Sequence, residues 1–367
     1  MESNKKSLGQ WILLILNCAA LCIGGTAGSL LVRFYFIHGG NRKWVNAWLQ
    51  TAGCPLLILP IWISSRRKQP SAENIHITPK LCLVCVVIGV LTGFDNFLYS
   101  WGSAYLPLST FSLLLAPQLA FNAFFAFILV NQKFSSYSIN ALILVTMGTV
   151  LLALHASGDR PNGVTSAQYW LGFSATGAAA ALFGFILPLI ELLYKKTTRR
   201  ITYSLVMEMQ FIMSSSATVV CTIGMIVNKD FQAIGKEARS FDVGELNYYM
   251  CLVWNAICWQ LSLIGLYGVI FLTSSLLSAI FMASLTPMVE VLAVVILHEK
   301  FTGEKGMALA MALWGFTSYL YGEYQNSILQ SSNMPEENGQ GRESAILKEE
   351  ESSLELVVEE PKSNKTP

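Results

Sequence analysis

Three acidic side chains, Asp95, Glu208 and Glu290, stand in the middle of long apolar stretches, and no Lys or Arg lies within seven residues of any of them. A charged group at the centre of a bilayer costs a few kcal/mol or more, so such residues usually have a function. Low polarity favours the neutral form of a carboxyl group, which could therefore bind and release a proton there. The sequence predicts that these three acids couple the protein to protons. The alternative is a neutral carboxyl group bonded to a helix backbone.

A second group of residues combines amides with aromatic rings at helical spacing. Gln118 and Asn122 are four residues apart, as are Asn255 and Trp259, so the members of each pair share a helix face. Amides can bind the donor and acceptor edge of a heterocycle, and aromatic rings can stack on its faces. Hydrogen bonds between helices and a belt of interfacial Trp residues are the alternative explanations. The predicted ligand is a flat, nitrogen-containing ring, bound by Asp95, Tyr99, Gln118, Asn122, Trp254, Asn255, Trp259 and Gln260.

Two prolines lie inside the stretches that carry these residues. Pro117 directly precedes Gln118, and Pro287 lies about one helical turn before Glu290. Because proline has no backbone N–H, it leaves a carbonyl of the preceding turn without its partner and weakens the helix. We therefore expect Pro117 and Pro287 to act in gating.

These residues must be positioned by transmembrane helices. The chain of 367 residues is 53% hydrophobic and only 13% charged, with a mean hydropathy of +0.49, whereas soluble domains are about a quarter charged. The apolar residues fall in runs of roughly 20, the length that crosses a bilayer as a helix, and their lack of alternation excludes barrel strands. The ten predicted spans are Trp11–Phe36, Trp44–Ile63, Leu81–Trp101, Leu108–Val130, Ser138–Leu154, Tyr169–Tyr194, Tyr203–Val227, Asn247–Phe271, Ser274–Leu297 and Gly306–Tyr324.

The charge pattern predicts the orientation of the chain and excludes several functions. An even number of spans puts both termini on one side, where Lys and Arg are denser, as in the segment Lys195–Arg200. Such loops favour the cytoplasm, so both termini are predicted to be cytoplasmic, with a disordered acidic tail at 325–367. The net charge of +1 indicates no nucleic-acid partner. Scattered histidines and the lack of any catalytic motif predict neither an enzyme, a metal nor a cofactor.

Two segments of the chain repeat one pattern. Tyr105–Phe134 and Phe271–Phe301 each contain a tight break, a Ser/Thr cluster, a proline and a final Lys-Phe, although similar apolar runs can also arise by chance. Each supplies the fourth span of a group of five, and because five is odd, the second group enters the membrane the other way up. Inverted halves are typical of secondary transporters, whose substrates bind between them near the midplane. We expect an all-α membrane protein of two inverted five-helix repeats, with a tail at 1–10, halves at 11–154 and 169–324 and a linker at 155–168.

Four segments carry a resemblance to a known family: GGNRKWVNAWLQTAGCP, DNFLYSWGSAYLPLSTFSLL, QLAFNAFFAFILVNQKF and LYGVIFLTSSLLSAIF. With them, the chain from about Leu8 to Tyr324 resembles the plant purine permeases of the drug/metabolite transporter superfamily. The resemblance implies ten helices in two inverted halves. It also implies proton-coupled uptake of adenine, cytokinins, alkaloids or related aromatic bases across the plasma membrane. It further implies that Asn96 has a role in the site, together with Asp95, Tyr99, Gln118 and Asn122.

These features together predict a proton-coupled importer of purine-like or other aromatic nitrogen heterocycles. One alternative is a nucleotide-sugar or phosphate carrier of the same superfamily, and another is a receptor or scaffold that does not transport. An anion carrier needs cations in its cavity, whereas the mid-span charges of this sequence are acids. Arg33 and Glu191 stand near span ends, where Arg33 is expected to reach the interface and Glu191 to pair with Lys195.

Overall fold

The computed structural model describes residues 8–67, 77–106, 111, 114–115, 117–154, 165–197, 201–296 and 303–332. Some side chains within these ranges, including that of Glu290, lie outside the description. The described part of the chain is helical and contains no β-strand. Its α-helices are α1 (Leu8–Ile37), α2 (Lys43–Leu49), α3 (Ile58–Arg67), α4 (Pro79–Tyr105), α5 (Gln118–Val130), α6 (Ser136–Leu154), α7 (Ser166–Lys196), α8 (Tyr203–Val227), α9 (Asp230–Arg239), α10 (Glu245–Leu272), α11 (Ser275–Ile296) and α12 (Gly303–Ser332).

Threonine caps define the starts of three long helices. α4, α7 and α8 begin directly after Thr78, Thr165 and Thr202, and each threonine oxygen accepts a bond from the backbone N–H three residues later. At α7, Gln168 also bonds back to the N–H of Thr165, which completes a capping box. These bonds satisfy N–H groups that have no partner within the helix, so α7 begins at Ser166 rather than at the expected Tyr169.

The described helices have the length and composition of a membrane protein. Six segments are long and apolar enough to cross a bilayer: Gly9–Ile37, Lys43–Ile63, Pro79–Tyr105, Ser166–Lys196, Tyr203–Val227 and Glu245–Leu272. Shorter apolar helices cover Gln118–Val130, Ser136–Gly148 and Ser275–Val289. Large apolar side chains such as Trp170 and Trp314 are exposed on the outer faces of their helices, as a lipid-facing surface requires. The prediction of an all-α membrane protein is confirmed, while ten spans in two inverted repeats stay a prediction.

The second predicted span, Trp44–Ile63, is broken in its middle. α2 ends at Leu49, residues 50–53 turn, and a short 3₁₀ helix at Cys54–Leu57 precedes α3. Pro55 has no N–H to continue an α-helix. A Cβ on Gly53 would lie 2.6 Å from the carbonyl oxygen of Ala256, so only glycine permits this close approach to α10. The hydropathy pattern predicted one continuous span here and not this break.

The two prolines expected to gate have different places in their helices. Pro117 is the N-cap of α5 and its carbonyl accepts a bond from the N–H of Phe121 at 2.9 Å, so it starts the described helix instead of kinking it. Pro287 is buried in the interior of α11, which continues on both sides of it. A role of either proline in gating stays a prediction.

Close contacts between long helices hold the bundle together. α1 packs along α10, α4 packs against α7 and α8, and α5 packs along α7. A Cβ on Gly24 would lie 2.5 Å from the carbonyl oxygen of Cys258, so a small residue is needed where α1 meets α10. Gly102, near the end of α4, contacts Thr176, near the start of α7. The end of α7 at Lys196 is therefore far from the end of α4.

The chain separates into two compact units. Lys6–Tyr319 form the larger unit, which contains the helices up to α11 and most of α12. Met1–Lys5 and Leu320–Pro367 form the other, whose described part is the end of α12, where the Gln325 amide donates to the hydroxyl of Tyr321 at 2.7 Å. α12 thus continues past the predicted end of the membrane part at Tyr324. The predicted tail from residue 333 and the linker residues 155–164 lie outside the described residues.

A buried polar cluster fixes the short helix α9 to the rest of the larger unit. The carboxylate of Glu237 accepts hydrogen bonds from the hydroxyls of Tyr35 and Tyr248 and from Nε of Arg42. Nη1 of Arg42 also lies 3.4 Å from the buried carboxylate of Asp230. The helix Asp230–Arg239 is therefore attached to the larger unit through its acidic side chains.

The replacement Glu237→Ala should destabilise the protein by roughly 3 kcal/mol, because it leaves two buried tyrosine hydroxyls without their acceptor. Thermal unfolding of the purified protein in detergent measures this loss. Glu245→Ala is the matched control, since Glu245 is an exposed acid at the start of α10. Equal unfolding temperatures for the two variants would show that the cluster contributes nothing to stability.

Candidate functional site

A cavity of about 510 Å³ lies among the helices of the larger unit. It is lined by residues of α1, the broken second span, α4, α5, α7, α10 and α11. Its volume is in the range of small-molecule sites, which are commonly about 300–1,000 Å³. One end of the cavity reaches Ile37, the last residue of α1, and Leu106, directly after α4; we call this the Ile37 end.

α4 contributes one polar face to the cavity. Thr92, Asp95, Asn96, Tyr99 and Ser103 all line it, and their spacing of three or four residues places them on the same side of the helix. Asp95 and Asn96 are 5% and 6% exposed. Among the described residues, neither Oδ1 of Asp95 nor Nδ2 of Asn96 has a hydrogen-bond partner. These two atoms are available to a bound ligand.

α5 presents the predicted amide pair to the same cavity. Gln118 and Asn122 both line it, and Asn122 is fully buried. Neither Nδ2 nor Oδ1 of Asn122 has a partner in the described part of the chain. Because buried polar groups are almost always hydrogen-bonded, a donor and an acceptor left together in one amide indicate that something else binds there.

The four site residues predicted on α10 lie in three different environments: the cavity wall, the buried interior outside the cavity and the exposed outer face. Trp259 lines the cavity, and its indole packs against α1 where Gly28 leaves room: a Cβ at Gly28 would lie 3.2 Å from Nε1 of Trp259. Asn255 and Gln260 are each 1% exposed but lie outside the cavity lining. Trp254 is 51% exposed on the outer face of α10. A helix turns about 100° per residue, which is why Trp254 and Asn255 face different surroundings.

Several polar lining residues were not predicted from the sequence, and three of them change the description of the site. Gln50 and Thr51 enter the cavity from the break in the second span. Nε2 of Gln50 donates to Ser100 at 3.3 Å, and Thr51 accepts from Thr218 at 3.0 Å, so the broken segment is fixed to α4 and α8. Discontinuous transmembrane helices commonly form the binding sites of transporters. The segment Thr51–Pro55 is the signal that could have located this break.

The third missed residue is Arg33, which corrects the electrostatic argument made from the sequence. Arg33 was expected to reach the interface, but it lines the cavity together with Asp95. The described lining therefore contains one cation and one acid, and the expectation of a purely acidic cavity was wrong. The physical reason is that α1 turns this side chain toward the bundle, where polar neighbours replace the interface as its surroundings.

The other acids predicted to carry protons have different positions. Glu208 on α8 is partly buried and accepts a bond from the hydroxyl of Ser204 at 3.4 Å, and it is not part of the cavity lining. The backbone of Glu290 lies in α11 directly after Val289, which lines the cavity. The side chain of Glu290 lies outside the described residues. Of the three acids, Asp95 is the one that the structure places in the cavity wall.

Gly184 controls how closely α5 packs on α7 beside the site. A Cβ there would lie 2.7 Å from Cβ of Phe121 and 2.9 Å from the backbone nitrogen of Asn122. Gly184→Ala should therefore push α5 away, destabilise the fold by about 1–3 kcal/mol and weaken substrate binding through Asn122. Gly177, on the same helix, has nothing within 4 Å of such an atom.

The matched variant Gly177→Ala should leave ligand binding unchanged and stabilise the helix by roughly 0.5–1 kcal/mol. Thermal unfolding and the Kd for an aromatic nitrogen heterocycle, measured on both variants, test the comparison. If Gly184→Ala behaves like Gly177→Ala, the close approach of α5 and α7 does not matter for the site.

Membrane-length helices around a cavity of small-molecule size define a multi-pass membrane protein with a candidate ligand site inside its bundle. Residues 12–328 match the family model described as purine nucleobase transmembrane transport. The chain therefore belongs to this family, and it is a transporter rather than an enzyme. The predicted resemblance to purine permeases is thereby confirmed.

Individual relatives match over nearly their whole length. The chain is 44% identical to purine permease 3 of Arabidopsis thaliana over 340 residues, which cover 91% of this chain and 97% of that protein. It is 44% identical to purine permease 2 of the same plant, with 86% and 93% covered, and 38% identical to the probable purine permease 5, with 89% and 91% covered. A crystal structure of another protein, 16% identical, matches 82% of this chain and 97% of its own with a TM-score of 0.56, which concerns the fold alone.

Proposed function

We propose that this protein is a proton-coupled importer of purine nucleobases or closely related aromatic nitrogen heterocycles, cytokinins and alkaloids among them. The observation that carries the proposal is the amide of Asn122, which is buried in the cavity wall with donor and acceptor both unpaired among the described residues. A purine edge presents an acceptor next to a donor, which is the complement of an amide. The printed names of the relatives, purine permeases, support the same substrate class.

The cavity also suits the faces of a flat ring. The ring of Tyr99 meets that of Phe111 edge to face, with centroids 5.0 Å apart, and both line the cavity with Trp259. Most of the remaining wall is aliphatic, as on α7 and α11. Aromatic contacts with a bound ring contribute about 0.5–1.5 kcal/mol beyond the burial of area. Polar groups at one edge and apolar groups on both faces favour a heterocycle over a sugar.

The packing of the helices supports two inverted halves. If the halves are equivalent, each span of the first half corresponds to the span five positions later: α1 to α7, α4 to α10 and α5 to α11. Contacts should then occur in matching pairs. The contact α1–α10 corresponds to α7–α4, the contact α5–α7 corresponds to α11–α1, and all four contacts are present. Such symmetry allows the halves to exchange inward-open and outward-open forms around one site.

Proton coupling is assigned first to Asp95. Its carboxyl group shares the cavity with the proposed substrate, so its protonation and substrate binding can affect one another directly. Glu208 and Glu290 remain candidates for later steps of the proton path. Plasma-membrane location and cytoplasmic termini complete the proposal and follow from the charge pattern and the resemblance.

A competition panel in proteoliposomes tests the substrate class. Uptake of labelled adenine is measured with an excess of unlabelled adenine, a cytokinin, a benzylisoquinoline alkaloid, pyridoxine or AMP, each with and without a protonophore. Adenine or another uncharged base should inhibit strongly and AMP weakly, because the negative charges of the phosphate would have to be desolvated against a single cation, Arg33, which shares the cavity with Asp95. Strong inhibition by AMP alone would favour the phosphate-type carrier, with Arg33 as its anion site.

A further inference from the structure

A buried carboxylate lies just beyond the end of the cavity opposite the Ile37 end. Glu191 on α7 is 3% exposed, and its Oε2 accepts bonds from the backbone N–H and the hydroxyl of Ser275 at 2.7 and 2.6 Å. Its Oε1 lies 2.8 Å from Nζ of Lys195. Ser275 is the first residue of α11, so the carboxylate also faces the positive end of that helix. The sequence analysis expected the pair with Lys195 but not the bonds to Ser275.

The position of this contact relates it to the cavity. The cavity lining on α7 ends at Leu187, four residues before Glu191, and on α11 it begins at Ala279, four residues after Ser275. Four residues span about 6 Å of helix. The Glu191–Ser275 contact therefore lies one turn beyond the cavity on both helices, at what we call the Lys195 end.

The two ends of the cavity differ in structure. At the Ile37 end the lining continues to the last residue of α1 and to Leu106, directly after α4. At the Lys195 end it stops a turn or more before the helices end, and the buried side chains of Leu276 and Tyr194 flank Ser275 and Glu191 in sequence. A polar contact between two lining helices thus lies at the end of the cavity away from Leu106.

We propose that the Glu191–Ser275 contact is the gate of the cavity at the Lys195 end, and that it opens when the substrate leaves by that end. The proposal rests on the transport function proposed above. Buried bonds to a charged acceptor are strong, which stabilises the closed form. Opening nevertheless requires only one residue of α11, Ser275, to move away from Glu191. Lys195 is on the same helix as Glu191 and is half exposed, so it keeps the carboxylate paired when α11 moves away. Ser275 is therefore the part of the contact that changes between the closed and open forms.

The test measures access to the Lys195 end directly. Ala279→Cys is introduced into a protein whose eight native cysteines have been replaced, and its rate of reaction with a membrane-impermeant maleimide is measured. Sealed yeast spheroplasts and inside-out vesicles from the same cells expose the two sides separately. The parent is compared with Ser275→Ala, which removes one donor, and with Glu191→Gln, which keeps an acceptor but removes the charge.

Both variants should react at least about fivefold faster from the Lys195 side. Ser275→Ala loses one bond to a buried charged acceptor and Glu191→Gln loses the charge of that acceptor, and either loss shifts the closed–open balance by about that factor or more. Ser278→Ala is the matched control: Ser278 is fully buried one turn along α11, and its hydroxyl donates to the backbone carbonyl of Ser275 and not to Glu191. It should stay within about twofold of the parent. Rates of Ser275→Ala and Glu191→Gln equal to that control from both sides would overturn the proposal.

Adenine uptake by the wild-type protein in the same kinds of preparation separates this proposal from the one on which it rests. If the gate variants react faster as predicted but the wild-type protein does not carry adenine, the gate stands and the substrate assignment fails. If the wild-type protein carries adenine and the gate variants react like the control, the substrate assignment stands and the gate fails.

Discussion

Replacing Asn122 with leucine should lower kcat/KM for adenine by about 100-fold or more. The amide is fully buried in the cavity wall, and neither of its polar atoms has a partner among the described residues. A bound base would lose two hydrogen bonds at once and leave its own donor and acceptor unsatisfied in a buried site. Sites that bind a ligand's polar edge discriminate by factors of this size or larger.

Initial rates of labelled adenine uptake in proteoliposomes measure the effect of Asn122→Leu. Asn140→Leu is the control, because Asn140 is an exposed asparagine on α6 that bonds to Ser318 away from the cavity. An unchanged kcat/KM in Asn122→Leu would contradict the binding of the base by the Asn122 amide, on which the proposed substrate class depends.

The second large effect is expected from Asp95→Asn, which should abolish accumulation while leaving downhill movement of substrate. Each pH unit corresponds to about 1.4 kcal/mol per proton. Transport of one proton with each substrate would therefore support roughly 100-fold accumulation across a difference of two pH units. Without the ionisable group of Asp95, the pH difference should drive no accumulation. Asparagine keeps the size and hydrogen-bonding capacity of the side chain, so binding of the base should be retained.

Steady-state accumulation under an imposed pH difference, compared with counterflow of labelled adenine, separates these two properties. Glu208→Gln and Glu290→Gln are measured in parallel, since both acids were predicted from the sequence to carry protons. Normal accumulation by Asp95→Asn, together with loss of accumulation in Glu208→Gln, would show that the coupling proton binds at Glu208, outside the cavity lining, and not at Asp95.

The helices were predictable where local signals define them. α8 runs from Tyr203 to Val227, as the sequence predicted, because Thr202 caps its start and the apolar run is uninterrupted. The polar face of α4 was predictable from spacing alone, because residues four apart share a side of any helix. The amide pair of α5 was found in the same way.

Other features depended on contacts between distant segments. The break in the second span is needed where Gly53 meets Ala256 of α10, and a hydropathy pattern contains no information about that contact. The direction of Arg33 depends on the rotation of α1 about its axis, and so does the outward position of Trp254 on α10. The burial of Glu191 depends on α11 beginning beside it, which the spacing to Lys195 could not reveal.

The most direct test of the account is uptake of labelled adenine into proteoliposomes that contain only the purified protein, with the outside more acidic than the inside. We expect accumulation above the outside concentration, which a protonophore removes and whose initial rate falls about 100-fold in Asn122→Leu. Uptake no greater than in protein-free liposomes, or an initial rate that Asn122→Leu leaves unchanged, would contradict the claim that this cavity carries aromatic bases across the membrane.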